Sequence, residues 1–211
     1  MQSTSSAGSA PATALQWDTL VPGFADPVHD SQAVFRVLLE ALAHPTRVFD
    51  IGLDLDVGET AAAPAALAAL YAMSDFATPL WLLPDNPVLA GVLRFHTGAP
   101  LAAKPAEAAF AWIDQALAVP PLREFCQGSA ESPETSTTLF IRVDDLTGGT
   151  PLVCRGPGIE NVASMAPRGL PAGFWATRAA LAGDFPCGVD LYLVCGTQLL
   201  GVPRTTRVEE A

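Results

Sequence analysis

Apolar positions along the chain fall into two rhythms, one of helical period and one of short continuous runs, and they interleave from end to end. "DSQAVFRVLLEALAHP" places Val34, Leu38 and Leu42 at helical spacing, with Asp30 or Ser31 as N-cap and a stop at His44-Pro45. "APAALAALYAMSD" predicts a second helix from its Ala and Leu content, with Leu67, Leu70 and Tyr71 on one stripe. "NPVLAGVLRF" predicts a third, capped by Asn86 with Pro87 in the first helical position. A fourth is expected in "PAGFWATRAALAG", between Pro171 and Gly183, where Phe174, Arg178 and Leu181 are helix neighbours. "PLWLL" and "AAFAWI" read as short strands. "TTLFIRV" and "TPLVCRG", joined by "DDLTGG", carry the signature of an antiparallel hairpin, and "VDLYLVC" and "QLLGVP" predict a second strand pair across Gly196-Thr197. With no repeat and no Pro/Ser linker between halves, the expected fold class is α/β: one domain over residues 15–211 with a mixed sheet flanked by helices. Residues 1–14, "MQSTSSAGSAPATA", hold too little apolar surface to offset the entropy of ordering and are expected to be a disordered tail.

Charge narrows the partners. Eleven Lys+Arg face 22 Asp+Glu, a net charge of −11, which disfavours general affinity for nucleic acid or anionic lipid. Arg36 and Arg47 are the only cations before Arg94, so an anion site is expected in the second half. No segment has the basic start and apolar stretch of a secretory signal, and the most apolar run is too short and Pro-interrupted to span a bilayer. The four cysteines form no CxxC pair, and a chain of this length buries about 70% of its surface without staples. Reduced thiols and a cytoplasmic location are the expectation.

Candidate chemistry is sparse. There is no P-loop, no HExxH, no GxSxG and no cysteine triplet, and the three histidines lie far from the cysteines, so no metal site is expected. "RGPGI" (155–159) suggests an anion nest, but Pro157-Gly158 suits the centre of a type II turn. "RFHTGAP" joins an arginine, Arg94, to an imidazole, His96, and a hydroxyl, Thr97; each of these also suits a helix end. "GVPRTTR" sets Arg204 and Arg207 around Thr205 and Thr206. Two guanidinium forks and two hydroxyls match a phosphate or phosphonate, although in an extended strand their side chains alternate between faces, which a solvated strand end would also explain.

Four stretches together, "VPGFADPVHDSQAVFRVLLEALAHP" (21–45), "LRFHTGAPL" (93–101), "LVCRGPGIE" (152–160) and "FPCGVDLYLVCGTQLLGVPRTTRVE" (185–209), resemble the PhnH family of the bacterial carbon-phosphorus lyase system in order and spacing. The chain departs from the family pattern in its Ala/Ser-rich start, in His44, in Thr46 where a glycine is expected, and in Arg207 where some members carry His. The resemblance implies a fold like a reduced pyridoxal-phosphate transferase without the cofactor. It implies a role in phosphonate catabolism beside the other core subunits of the lyase system, in the transfer of the ribose triphosphate of ATP to an alkylphosphonate with release of adenine. A homodimer is implied for the chain alone. Arg94, His96, Thr97, Asp190, Arg204, Thr205 and Thr206 become candidates for ligand or subunit contact, with catalytic residues unassigned. A Schiff base needs a lysine, and Lys104, in a polar turn beside Pro105, is the only one, so no cofactor is expected. Two rivals stay open: a self-sufficient transferase uniting Arg94, His96, Asp190 and Arg204 in one cleft, and a stand-alone phosphonate-binding protein.

Overall fold

The computed structural model describes residues 21–53 and 55–210; the expected tail over 1–14, Trp17 and Asp54 lie outside the described residues. The elements are α1 (Pro27–Ala43), β1 (Val48–Asp50), α2 (Pro64–Met73), β2 (Leu80–Leu83), α3 (Pro87–Thr97), β3 (Phe110–Ile113), β4 (Thr138–Arg142), β5 (Leu152–Arg155), β6 (Ala163–Met165), α4 (Phe174–Ala179), β7 (Asp190–Cys195), β8 (Gln198–Val202) and β9 (Arg207–Glu210). Six strands form one mixed sheet in the order β1-β8-β7-β4-β3-β2, in which β2, β3, β4 and β7 are parallel, β8 runs antiparallel to β7, and β1 pairs antiparallel with β8. This is the expected single α/β domain with a mixed sheet. A second, three-stranded antiparallel sheet, β6-β5-β9, lies outside it.

Side-chain alternation along the central strands divides the core in two. Phe140, Tyr192, Val194 and Leu199 point into a cluster with Val34 and Leu38 of α1, Leu67 and Leu70 of α2, and Leu89 and Leu93 of α3. Leu139, Ile141, Leu191, Leu193 and Leu200 point the other way, toward Leu152 and Cys154 of β5, Phe174 and Trp175 of α4, and Val208 of β9. α1 crosses close over β8: a Cβ on Gly201 would stand 2.4 Å from the Ala41 carbonyl oxygen, so only glycine lets the helix backbone settle there.

The helix signals are largely realised. Asn86 caps α3, its side chain accepting from the Leu89 N–H at 2.9 Å, with Pro87 in the first turn. α1 starts earlier than expected: Asp26, not Asp30 or Ser31, is the N-cap, accepting from the N–H groups of Val28 and His29, while Asp30 reaches back to accept from the Asp26 N–H. The reason is Pro27, which needs no partner for its nitrogen at the first helical position and fixes the helical φ. Thr46 adopts φ +77°, the left-handed conformation that accounts for the glycine expected there from the family pattern. Pro157 and Gly158 form a turn closed by Ile159 N–H to the Gly156 carbonyl at 3.1 Å, with Gly158 at φ +81°, as a type II turn requires. α4 is shorter than its pattern, beginning after Gly173 and ending at Ala179.

The hairpin expected from "TTLFIRV" and "TPLVCRG" does not form. β4 is a central strand paired in parallel with β3 and β7, and β5 leaves the sheet to pair with β6 and β9. Leu139, Phe140 and Ile141 are all fully buried, and a strand buried on both faces reads as an unbroken apolar run. Proximity in sequence across a Gly-containing link is a weaker signal than that burial. β7 and β8 do form the expected antiparallel pair across Gly196-Thr197.

Candidate functional site

The stretch Pro203–Thr206 is a turn between β8 and β9, closed by Thr206 N–H to the Pro203 carbonyl at 2.9 Å. Leaving the strand brings Arg204 to the start of β7, where Asp190 accepts from both its backbone and its side chain. The Arg204 backbone N–H donates to Asp190 Oδ1 at 2.7 Å, Nε donates to both carboxylate oxygens at 3.2 Å, and Nη2 to Oδ2 at 2.6 Å. Nη2 also donates to Ser136 Oγ and Nη1 to the Pro133 carbonyl, each at 2.7 Å. A guanidinium has five N–H donors in a fixed fork. Arg204 uses them on Asp190, Ser136 and the Pro133 carbonyl, with the Pro186 carbonyl a further contact at 3.5 Å. It therefore ties the 203–206 turn to the 133–136 segment and to β7.

A second arginine braces the same turn from α4. Arg178, only 8% exposed, donates from Nη1 to the Thr206 carbonyl and from Nη2 to the Pro203 carbonyl, each at 2.7 Å. Burial among apolar neighbours lowers its pKa to about 10, against the opposing pull of Asp190 and Cys154. Thr206 is buried, and its Oγ1 has no hydrogen-bond partner. Thr205 is half-buried; Arg207 is exposed on β9 opposite Arg155. Sequence reading noted Arg178 for its helical spacing only. The available signal was a lone arginine within the apolar run "FWATRAALA", where a charged residue on the inward face needs polar partners.

Arg94, His96 and Thr97 lie elsewhere. They occupy the last turn of α3, which Gly98 closes, and the chain after it pairs back onto the start of β2. Arg94 is exposed, and it and His96 suit the negative end of the helix dipole. His96 Nε2 lies 2.9 Å from the Val21 carbonyl, and its ring packs 5.0 Å from that of Tyr71. Thr97 Oγ1 donates to the Leu93 carbonyl and accepts from the Ala99 N–H. β2 and β7 are separated by β3 and β4, which at strand spacing is about 14 Å across the sheet. The fold thus brings Asp190 and Arg204 together and sets the α3 residues apart from them.

A family model described as "Bacterial phosphonate metabolism protein (PhnH)" matches residues 22–209. The chain belongs to the PhnH family. It is 39% identical over 193 residues, covering 88% of this chain and 94% of the relative, to the Rhizobium meliloti protein named as alpha-D-ribose 1-methylphosphonate 5-triphosphate synthase subunit PhnH. It is 29% identical over 177 residues, covering 84% and 85%, to a Stutzerimonas stutzeri protein provisionally named as the C-P lyase subunit protein HtxG.

In this PhnH-family chain the carboxyl ends of the parallel strands, where open α/β sheets generally present ligands, carry a second Arg–Asp pair. Arg142, the last residue of β4, pairs through Nε with Asp114 just past β3, donates to the Ala61 carbonyl, and stands 5.5 Å from the centre of the Trp112 ring. A cavity of about 500 Å³ opens beside this pair, lined by Asp114, Leu117, Arg142, Asp144 and Gly169 among others. Burial raises the Asp114 pKa, and the Arg142 cation pulls it back. Neither Asp114 nor Arg142 was singled out from sequence; an Asp directly after a strand is common in solvated loops. Lys104 is exposed in the turn before β3, at the other end of the parallel strands. Among the described residues no cluster of His, Cys, Asp and Glu could hold a metal ion, and no helix is long and apolar enough to cross a membrane.

Proposed function

We propose that this chain is a non-catalytic or site-completing subunit of a carbon-phosphorus lyase core complex. Within that complex it is required, with partner subunits, for moving the ribose triphosphate of ATP onto an alkylphosphonate with release of adenine. The observation that carries this reading is the family match over residues 22–209 together with the relative named as a synthase subunit. The geometry supports a docking role. Arg204 and Asp190 fix the Pro203–Thr206 turn against the start of β7. α1 meanwhile exposes Val28 (75%), Phe35 (45%) and Leu39 (50%) along one outer stripe, in addition to the inner stripe that packs on the sheet. The reading includes a homodimer when the chain is alone, a cytoplasmic location, one domain over 15–211 behind a disordered 1–14 tail, and kinship with reduced pyridoxal-phosphate transferase folds lacking the cofactor. Arg94, His96, Thr97, Asp190, Arg204, Thr205 and Thr206 are its candidates for ligand or subunit contact.

The purified chain is expected to consume no ATP in the presence of methylphosphonate, and to co-purify with the other core subunits when expressed with them. Phe35→Glu with Leu39→Glu is expected to abolish co-purification while the melting temperature of the chain is unchanged. His96→Ala separates the remaining roles: loss of complex activity with assembly intact makes this chain site-completing, and loss of assembly makes it a scaffold. Turnover by the solitary chain would replace the proposal with a self-sufficient transferase.

A further inference from the structure

Arg178 and Arg204 line one small cavity together with Leu181, Cys187, Gly188 and Val189. The two arginines are treated very differently by their surroundings. Arg204 has a carboxylate of its own and a partner for each edge of its fork. Arg178 is more deeply buried, at 8% exposure, yet donates only two of its five N–H groups, both to neutral carbonyls, and its Nε has no partner. Among the described residues Asp190 is the one carboxylate acting on this pair, and its oxygens are engaged by Arg204. Cys154, the other group that acts on Arg178, is pushed up to about 11 by burial and is a neutral thiol at physiological pH. Two guanidiniums thus share a single negative charge in a place where an uncompensated charge is strongly disfavoured.

The cavity measures about 20 Å³, room for about one water-sized particle and too little for a tetrahedral oxyanion. We propose that a single monatomic anion, chloride, occupies this cavity between Arg178 and Arg204. It accepts from the unpartnered edge of Arg178, supplies the missing negative charge, and through Arg178 holds the Pro203–Thr206 turn in place. The site is independent of the phosphonate reading: phosphate, phosphonate and ATP are all too large for it.

The test uses the full chain, dialysed free of halide into sodium gluconate and titrated with sodium chloride at constant ionic strength. The melting temperature is expected to rise and saturate, by roughly 5–10 °C at a hundredfold excess over Kd. Arg178→Met is expected to lose the chloride response. Should that variant not fold, bromide-grown crystals of the unaltered protein give a second reading, with an anomalous peak expected within hydrogen-bonding distance of Arg178 Nε. Melting curves that superimpose in chloride and gluconate, or a water molecule alone in that position, overturn the proposal.

Discussion

Asp190 at the start of β7 and Asp114 just past the end of β3 each hold one arginine, and the two pairs differ in what surrounds them. The Asp190–Arg204 side chains are 17% and 16% exposed, and the guanidinium is bound on every edge. The Asp114–Arg142 side chains are 25% and 36% exposed, and the pair borders a cavity of about 500 Å³. The first arrangement joins three chain segments and engages the donors of the Arg204 guanidinium. The second is held more loosely at the strand ends where α/β sheets present ligands, so it has donors and room to spare. A motif rich in Arg and Thr can therefore belong to the frame of the protein while an inconspicuous Arg–Asp pair borders its open space.

The largest expected effect breaks the closed pair. Arg204→Met leaves the largely enclosed Asp190 without its cation and detaches the turn from Ser136 and Pro133. The expected loss of stability is about 3–5 kcal/mol, measured by urea unfolding. Arg142→Met, by contrast, is expected to cost about 1 kcal/mol, as a half-exposed pair should. Equal losses in the two variants would erase the contrast between them.

The same contrast shows which parts of the molecule could be read from its residues. Features set by neighbours in sequence were legible: the Asn86-Pro87 start of α3, the Gly196-Thr197 link between β7 and β8, and the Pro157-Gly158 turn. Features set by partners far along the chain were not. β5 lies ten residues past β4, yet joins β9 across some fifty residues, because the buried run Leu139–Ile141 already has β3 and β7 on its two sides. The candidate site divides the same way. Arg204 stands out in "GVPRTTR" and Asp190 through the family pattern, but their mutual contact depends on Thr206 N–H closing a turn onto Pro203. Arg178 reaches that turn from α4, 28 residues away, and the apolar run around it signals a need for polar partners without saying where they lie.

Neutral groups sharpen the comparison on a smaller scale. Tyr192 and Tyr71 are both buried, at 5% and 8% exposure. The Tyr192 hydroxyl donates to the Leu38 carbonyl at 2.9 Å, linking β7 to α1, whereas the Tyr71 hydroxyl has no partner. Tyr192→Phe is expected to cost about 1 kcal/mol, and Tyr71→Phe close to nothing or a slight gain, because it removes a buried polar atom that no hydrogen bond repays. Chemical denaturation of both variants checks the pair; a cost at Tyr71 matching that at Tyr192 would mean its hydroxyl is engaged.

The smallest effect concerns the open pair and is read through pH. Burial raises the Asp114 pKa above its ordinary value of 3.8, and the Arg142 cation partly offsets that rise. The folded chain thus holds this proton more tightly than the unfolded chain does. Asp114 then contributes a loss of stability that sets in as pH rises from 3.8 through the raised value, and is recovered on acidification. In Arg142→Met the cation's offset is gone, so the carboxyl titrates higher still and the loss on the alkaline side grows. Melting temperatures of the two proteins, compared from pH 4 to pH 7, should therefore diverge with rising pH, and Asp114→Asn in the same background should remove the divergence. A gap that stays constant across that range would mean the carboxyl is solvated well enough to ionise freely, and the pair at the open end would then be no more than a surface contact.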